Sequence, residues 1–315
     1  ESLWKYHNLV AEEVRTRLGT NAPMIGGMTW GLHDLWQPDL SRYASNYLDQ
    51  YLSEPAKTFY RQAGYTAYPY TGAEWEQWDK VWKGFLDACG TNMDFYSVHF
   101  YDWPAWHVPG DGVLRAGGPV EATLEMLEWY DVQQHGRAHR KPVVVSEFGS
   151  VGPYQEQLGL DGHRVDWESL KAFNAMQMQF LDRPDYIVKS MPFTPIKAEW
   201  GDYESGGTTY RYPYTLMDSN SVTGQWEWSD YIKFYQLWSD VNGTRVDARA
   251  DDLDIQVKAY VDGNIGYLIL NNLETNSRTI RIHGFGAERN SISSVRLKHL
   301  YLDPALGSDG RPALE

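Results

Sequence analysis

The sequence predicts an α/β protein in two parts. A parallel sheet of alternating strands and helices, which reads as half of an eight-stranded barrel, is followed by an antiparallel β domain. Three observations predict this. Val143-Val144-Val145 is an unbroken β-branched run, as in a strand buried on both faces of a parallel sheet. Segments of helical period separate it from three similar runs, and strands alternating with helices argue for parallel pairing. From Val246 the texture changes to short alternating runs divided by turn residues.

Taken in order, Leu3, Tyr6, Val10 and Val14 repeat at helical spacing, so a helix is expected over residues 2–18, ending near Gly19. A strand is expected from Pro23 to Met28, then a loop holding Trp30, His33, Trp36 and Pro38. Ser41 is placed to cap a helix through Tyr51 that Pro55 interrupts. The Tyr-rich stretch from Pro55 to Gly72 has no clear period and reads as an insertion. Trp75, Trp78, Trp82, Phe85 and Leu86 form a helical stripe before the second strand, Asp94 to Phe100.

Pro119 suits the first position of a helix through Tyr130, which Gly136 stops. The third strand, Pro142 to Phe148, leads to a loop with Tyr154 and His163. Asp166 is then expected to cap a helix carrying Leu170, Phe173 and Leu181. Tyr186 to Phe193 is the fourth strand. A polar, aromatic loop over residues 194–201 and a Tyr-rich excursion over 203–214 follow, and a last helix is expected from Glu227 to Asp240.

Strands are then expected at Ile255 to Val261, Ile265 to Asn271, Arg278 to His283 and Val295 to Leu302. Asp262-Gly263-Asn264 gives a hairpin signal between the first two. The expected domains are residues 1–243, the partial barrel, and 244–315, part of a sandwich. Four strand–helix units leave two open sheet edges. Glu1, not Met, opens directly into a helical pattern, so the chain is expected to be a piece of a longer polypeptide.

A net charge of −14 and a pI near 5.1 argue against nucleic acid as a partner. No apolar run approaches membrane-spanning length, and no signal peptide is visible. Cys89 is the single cysteine, which excludes an internal disulfide framework and a clustered cysteine metal site. No cofactor or metal is expected. The 14 Trp and 22 Tyr are many, and several fall in loops, where flat rings suit the apolar faces of sugars.

The chemistry concentrates at strand ends. Lys141 to Ser150 reads K-P-V-V-V-S-E-F-G-S and sets Glu147 at the carboxyl end of its strand, where parallel barrels carry their catalytic groups. A plain helix-capping or ion-pairing role is the alternative. His99 and Tyr101 end the neighbouring strand, so the Tyr101 hydroxyl is expected to donate to the Glu147 carboxylate. Such a bond favours the ionised form and suits a nucleophile. His99 taken alone reads as a core histidine; beside Tyr101 and Glu147 it joins the site.

The segments M-T-W-G-L-H, H-F-Y-D-W-P, V-S-E-F-G-S and P-F-T-P-I-K-A-E-W-G resemble the clan of (β/α)8 retaining glycoside hydrolases, and within it glycoside hydrolase family 86, the β-agarases and β-porphyranases. The resemblance implies that the strands are numbers five to eight, with Glu147 as nucleophile on strand seven and Tyr101 supporting it from strand six. The family's acid/base glutamate belongs at the end of strand four, upstream of this sequence. The implied partner is a galactan polysaccharide and the implied location is secreted or cell-surface. Trp30, Trp103 and Trp200 are placed as sugar platforms. Lys197, Glu199 and His33 are placed to bind hydroxyls or a sulfate, with ordinary loop solvation or ion pairing as the alternative. Two other readings stand beside this one. A metal-dependent barrel hydrolase would want clustered His and Asp at strand ends. A carbohydrate-binding module or scaffold would have no chemistry.

Overall fold

A computed structural model describes residues 2–32, 75, 77–102, 118–150, 162–205, 207–220, 223–274, 276–284 and 292–315. The helix expected from Ser41 and the Tyr-rich insertion lie outside them.

Helix α1 (Ser2–Leu18) forms as its spacing predicts, with Arg15 and Arg17 in the last turn, where cations oppose the helix dipole. Strand β1 (Gly26–Gly31) starts three residues later than expected. Just before it, the Asp94 carboxylate accepts the Ile25 N–H at 2.8 Å, and the Asp94 N–H donates to Ile25 O at 2.7 Å. Trp30, expected in a loop, is a strand residue opposite Val98, just past a register shift at Thr29. The Trp stripe forms a π-helical turn (Trp78–Trp82) that runs into α2 (Lys83–Cys89) and buries Trp78, Trp82, Phe85 and Leu86.

Strand β2 (Phe95–Asp102), helix α3 (Gly118–His135), strand β3 (Val143–Ser150), helix α4 (Gly162–Phe180) and strand β4 (Ile187–Pro192) complete the alternation. The four strands form one sheet in the order β1-β2-β3-β4. β1 and β2 are parallel. Val143 N–H donates to Tyr186 O and Phe193 N–H to Phe148 O, so β3 and β4 also advance together. Helix α4 begins four residues before Asp166, which is a buried residue of its first turns and not its cap.

The chain divides into two units. The first holds residues 1–100, 119–146 and 185–189, and the second 101–118, 147–184 and 190–315. The first unit has Asp131 as a buried anchor: its carboxylate accepts from Tyr96 Oη at 2.6 Å and from the Lys141 N–H at 2.9 Å, and it meets His135 Nδ1 at 2.9 Å.

In the second unit the Tyr-rich excursion becomes two hairpins. β5 (Tyr203–Ser205) pairs with β6 (Thr208–Tyr210), and β7 (Met217–Ser219) with β8 (Trp226–Trp228). The last helix, α5 (Ile232–Trp238), is thus shorter than expected, because Trp226-Glu227-Trp228 alternates as a strand against β7. Strands β9 (Thr244–Val246), β10 (Ile255–Asp262) and β11 (Ile265–Asn272) make an antiparallel sheet. The β10–β11 hairpin closes on Gly263-Asn264, with Gly263 at φ +55°, as a two-residue turn requires.

The strands expected over 278–283 and 295–299 do not form. Val295 and Leu297 are 83% and 77% exposed, and among the described residues pairing here begins at His299, which exchanges backbone hydrogen bonds with Glu315, and continues as β12 (Leu300–Asp303) against β13 (Arg311–Leu314). Among the described residues no helix is long and apolar enough to cross a membrane.

Candidate active site

Side-chain contacts split β2 into two faces. Tyr96 turns to the helices, reaching Asp131 on α3 and the Phe85 ring on α2. Alternation then places Ser97, His99 and Tyr101 on the opposite face. On β3, Ser146 meets Ser97 at 2.7 Å, and Glu147, the next residue, accepts from Tyr101 Oη at 2.6 Å. Phe148 turns back to the helices, where Phe173 and Phe180 of α4 lie edge-on at 5.8 and 5.1 Å. Two consecutive residues of β3 thus face the same side of the sheet. A one-residue slip of this kind re-aims a strand side chain, and such slips cluster beside active sites. Here the re-aimed group is the Glu147 carboxylate.

Burial, and then the Glu147 carboxylate that it faces, push ionisation of the Tyr101 hydroxyl far above the ordinary phenol range. Tyr101 is therefore a donor at any physiological pH. Phe193, just past β4, meets the Tyr101 ring edge-on at 6.2 Å and fixes its plane. The arrangement holds a half-buried carboxylate at a strand end with one oxygen oriented by a phenol, as a positioned nucleophile requires.

The other expected site residues separate into groups. Trp200 is 72% exposed, and its ring lies tilted at 36° to that of Tyr212, with centroids 5.2 Å apart. The Lys197 Nζ sits 3.9 Å from the centre of the Trp226 ring, a cation–π contact. Glu199 is exposed at the start of the short turn Glu199–Gly201. Gly31 of β1 is the register partner of His99, and the His99 carbonyl accepts the Leu32 N–H at 2.8 Å. His33 and Trp103 lie outside the described residues.

Sequence reasoning missed Phe193, Tyr212 and Trp226. Only the aromatic richness of 186–228 hinted at them. It also set His163 in a loop, whereas the residue opens α4 with Nδ1 2.7 Å from Asp230 Oδ2. His163, Asp166 and Asp230 bring three possible ligand atoms within 4.8 Å of one another. Asp230 is already engaged by Lys233 and by Arg311 at 3.3 Å, so the cluster reads as an ion-pair hub. It sits on the first turns of α4 and in the turn before α5.

Residues 254–308 match the family model "Porphyranase beta-sandwich domain 1". The β-agarase AgaO of Microbulbifer thermotolerans is 48% identical over 320 residues, covering 96% of this chain and 27% of that protein. A solved structure of a BuGH86 variant in complex with neoagarooctaose superposes with a TM-score of 0.68 at 29% identity, over 99% of this chain and 43% of that one. BpGH86A, a β-porphyranase of glycoside hydrolase family 86 from Bacteroides plebeius, superposes with a TM-score of 0.58 at 25% identity, over 86% of this chain and 40% of that one. The chain is similar to members of glycoside hydrolase family 86 over nearly its whole length. It spans about a quarter of the curated agarase and less than half of each family 86 structure it matches. Within family 86 its likeness covers both the mixed α/β part and the sandwich strands.

Proposed function

We propose that this chain carries the nucleophile half of a retaining endo-glycoside hydrolase acting on a galactan such as agarose or porphyran. The observation that carries the reading is the Tyr101–Glu147 hydrogen bond at the ends of adjacent parallel strands. In a retaining mechanism two carboxyl groups stand about 5 Å apart; one attacks the anomeric carbon and the other protonates the leaving oxygen. Glu147 is the attacker. Tyr101 orients it, and His99 lies on the same strand face. The acid/base glutamate lies upstream, at the end of the strand before α1. Trp30, Trp103, Trp200, Lys197, Glu199 and His33 contact the sugar chain.

The fold reading beneath this is that β1 to β4 are strands five to eight of a (β/α)8 barrel. Residues 1–243 form that half-barrel and residues 244–315 part of a sandwich, within a longer secreted or cell-surface polypeptide. Two surfaces support it. Helix α1 exposes Leu3, Tyr6 and Leu9, and the outer strand β4 exposes Val188, where a closed barrel would bury apolar groups. The similarity to agarases and porphyranases supports the galactan.

The test compares three polypeptides on agarose and porphyran: this chain, the longer polypeptide with strands one to four, and the longer polypeptide with Glu147→Gln. The chain alone is expected to turn over little or nothing. The longer form hydrolyses, and Glu147→Gln lowers that rate roughly 1,000-fold or more while binding persists. Unchanged hydrolysis in Glu147→Gln sinks the nucleophile assignment. No hydrolysis in any form, with binding retained, favours a carbohydrate-binding fragment.

A further inference from the structure

We propose that Tyr212 is a positioning residue that holds the Trp200 ring in place as a sugar platform. The proposal rests on the reading of Trp200 as a sugar platform and adds a residue to it. Trp200 projects from a single short turn, and a ring that is 72% exposed there has few contacts of its own. Its one stacking partner among the described residues is Tyr212. Tyr212 is held in turn: its N–H donates to Asp202 Oδ1 at 3.1 Å, and the buried Tyr214 ring meets it edge-on at 5.4 Å.

Gly201 makes the room. A Cβ at Gly201 would lie 2.6 Å from the Tyr212 ring, closer than side chains pack, so only glycine lets the ring slide under Trp200. Stacking of this kind is sensitive to small displacements, because the aromatic pair prefers an offset or tilted geometry.

The test has a ligand-free arm and a binding arm. The chain is labelled with 5-fluorotryptophan, and the Trp200 fluorine resonance is assigned as the one missing from Trp200→Phe. Tyr212→Ala is expected to move that resonance toward the free amino acid's position and leave the others in place. Gly201→Ala is expected to move it the same way, while Tyr212→Phe, which keeps the ring, leaves it unmoved. A Trp200 resonance that ignores both Tyr212→Ala and Gly201→Ala overturns the tether. In the binding arm neoagarooctaose is titrated by calorimetry. Tyr212→Ala and Trp200→Ala are each expected to weaken binding about tenfold, and the double variant no further than either alone. Additive losses, about a hundredfold together, overturn the proposal by showing two independent contacts. If the unmodified chain binds no oligosaccharide, the galactan reading falls with the sugar-holding role, and the fluorine arm still decides whether Tyr212 orders Trp200.

Discussion

Tyr101 donates its hydroxyl hydrogen to Glu147 Oε2 across 2.6 Å, from the end of one strand to the end of the next. A hydrogen bond to a charged group is worth about 1.5–3 kcal/mol, and each 1.4 kcal/mol is tenfold. Tyr101→Phe in the longer polypeptide is therefore expected to lower kcat by about 10- to 100-fold with KM little changed. Steady-state kinetics on a galactan oligosaccharide check this; a Tyr101→Phe enzyme at full kcat shows that the phenol is dispensable.

Asp131 anchors the first unit through three donors on β2, α3 and the segment leading into β3. Its side chain is fully buried, so removing it strands Tyr96 Oη and the Lys141 N–H away from water. Asp131→Ala is expected to cost about 3 kcal/mol, read from urea unfolding, since each unsatisfied buried group costs about 1–3 kcal/mol. A loss under about 1 kcal/mol shows that water replaces the carboxylate.

The Asp166–Asp230 pair predicts opposite pH effects. Burial raises Asp230, but His163, Lys233 and Arg311 outweigh it and hold the carboxyl below its usual range. Its stabilisation is present above the unfolded value near 3.9 and is lost as pH falls through the depressed folded value. Asp166 is pushed well above its usual range by burial and then by the Asp230 charge. There the folded state holds the proton more tightly, so stability declines as pH rises from about 3.9 toward the raised folded value. Asp166→Asn keeps an oxygen to accept the Asp230 N–H and is expected to raise Tm near pH 8, with little change near pH 4. Asp230→Asn is expected to lower Tm near pH 8, because it leaves Lys233 and Arg311 facing no charge. Thermal scans at both pH values check the signs.

Cys89 is fully buried, its thiol lies 3.3 Å from Trp4 O, and burial pushes its pKa up to about 11. It should resist a disulfide-exchange reagent in the native state and react fully after unfolding, as the thiolate is the reactive form. Rapid native labelling contradicts the packing of α1 against α2.

Much of this was legible in the chain because it depends on local period. The Val143–Val145 run, the α1 spacing and the Gly263 turn each carry their own signal, and the strand-end rule by itself brings Tyr101 and Glu147 together. What escaped depends on distant pairing. Glu227-Trp228 reads as helix until β7 is beside it, and Tyr212 reaches the Trp200 ring only because Gly201 leaves space. The slip at Ser146–Glu147 has no sequence mark, since both residues sit in one continuous strand. In the sandwich part, the alternation of Arg278 to His283 and of Val295 to Leu297 is a strand pattern with no strand beside it among the described residues.

The most direct test of the account is to trap the covalent intermediate. The longer polypeptide is incubated with an activated 2-deoxy-2-fluoro galactoside that matches the substrate, which forms the glycosyl-enzyme but slows its hydrolysis. Digestion and mass spectrometry then locate the label. The account predicts one sugar per chain on the peptide containing Glu147, and none in Glu147→Gln. A label on another carboxylate, or turnover with inversion at the anomeric carbon, contradicts it.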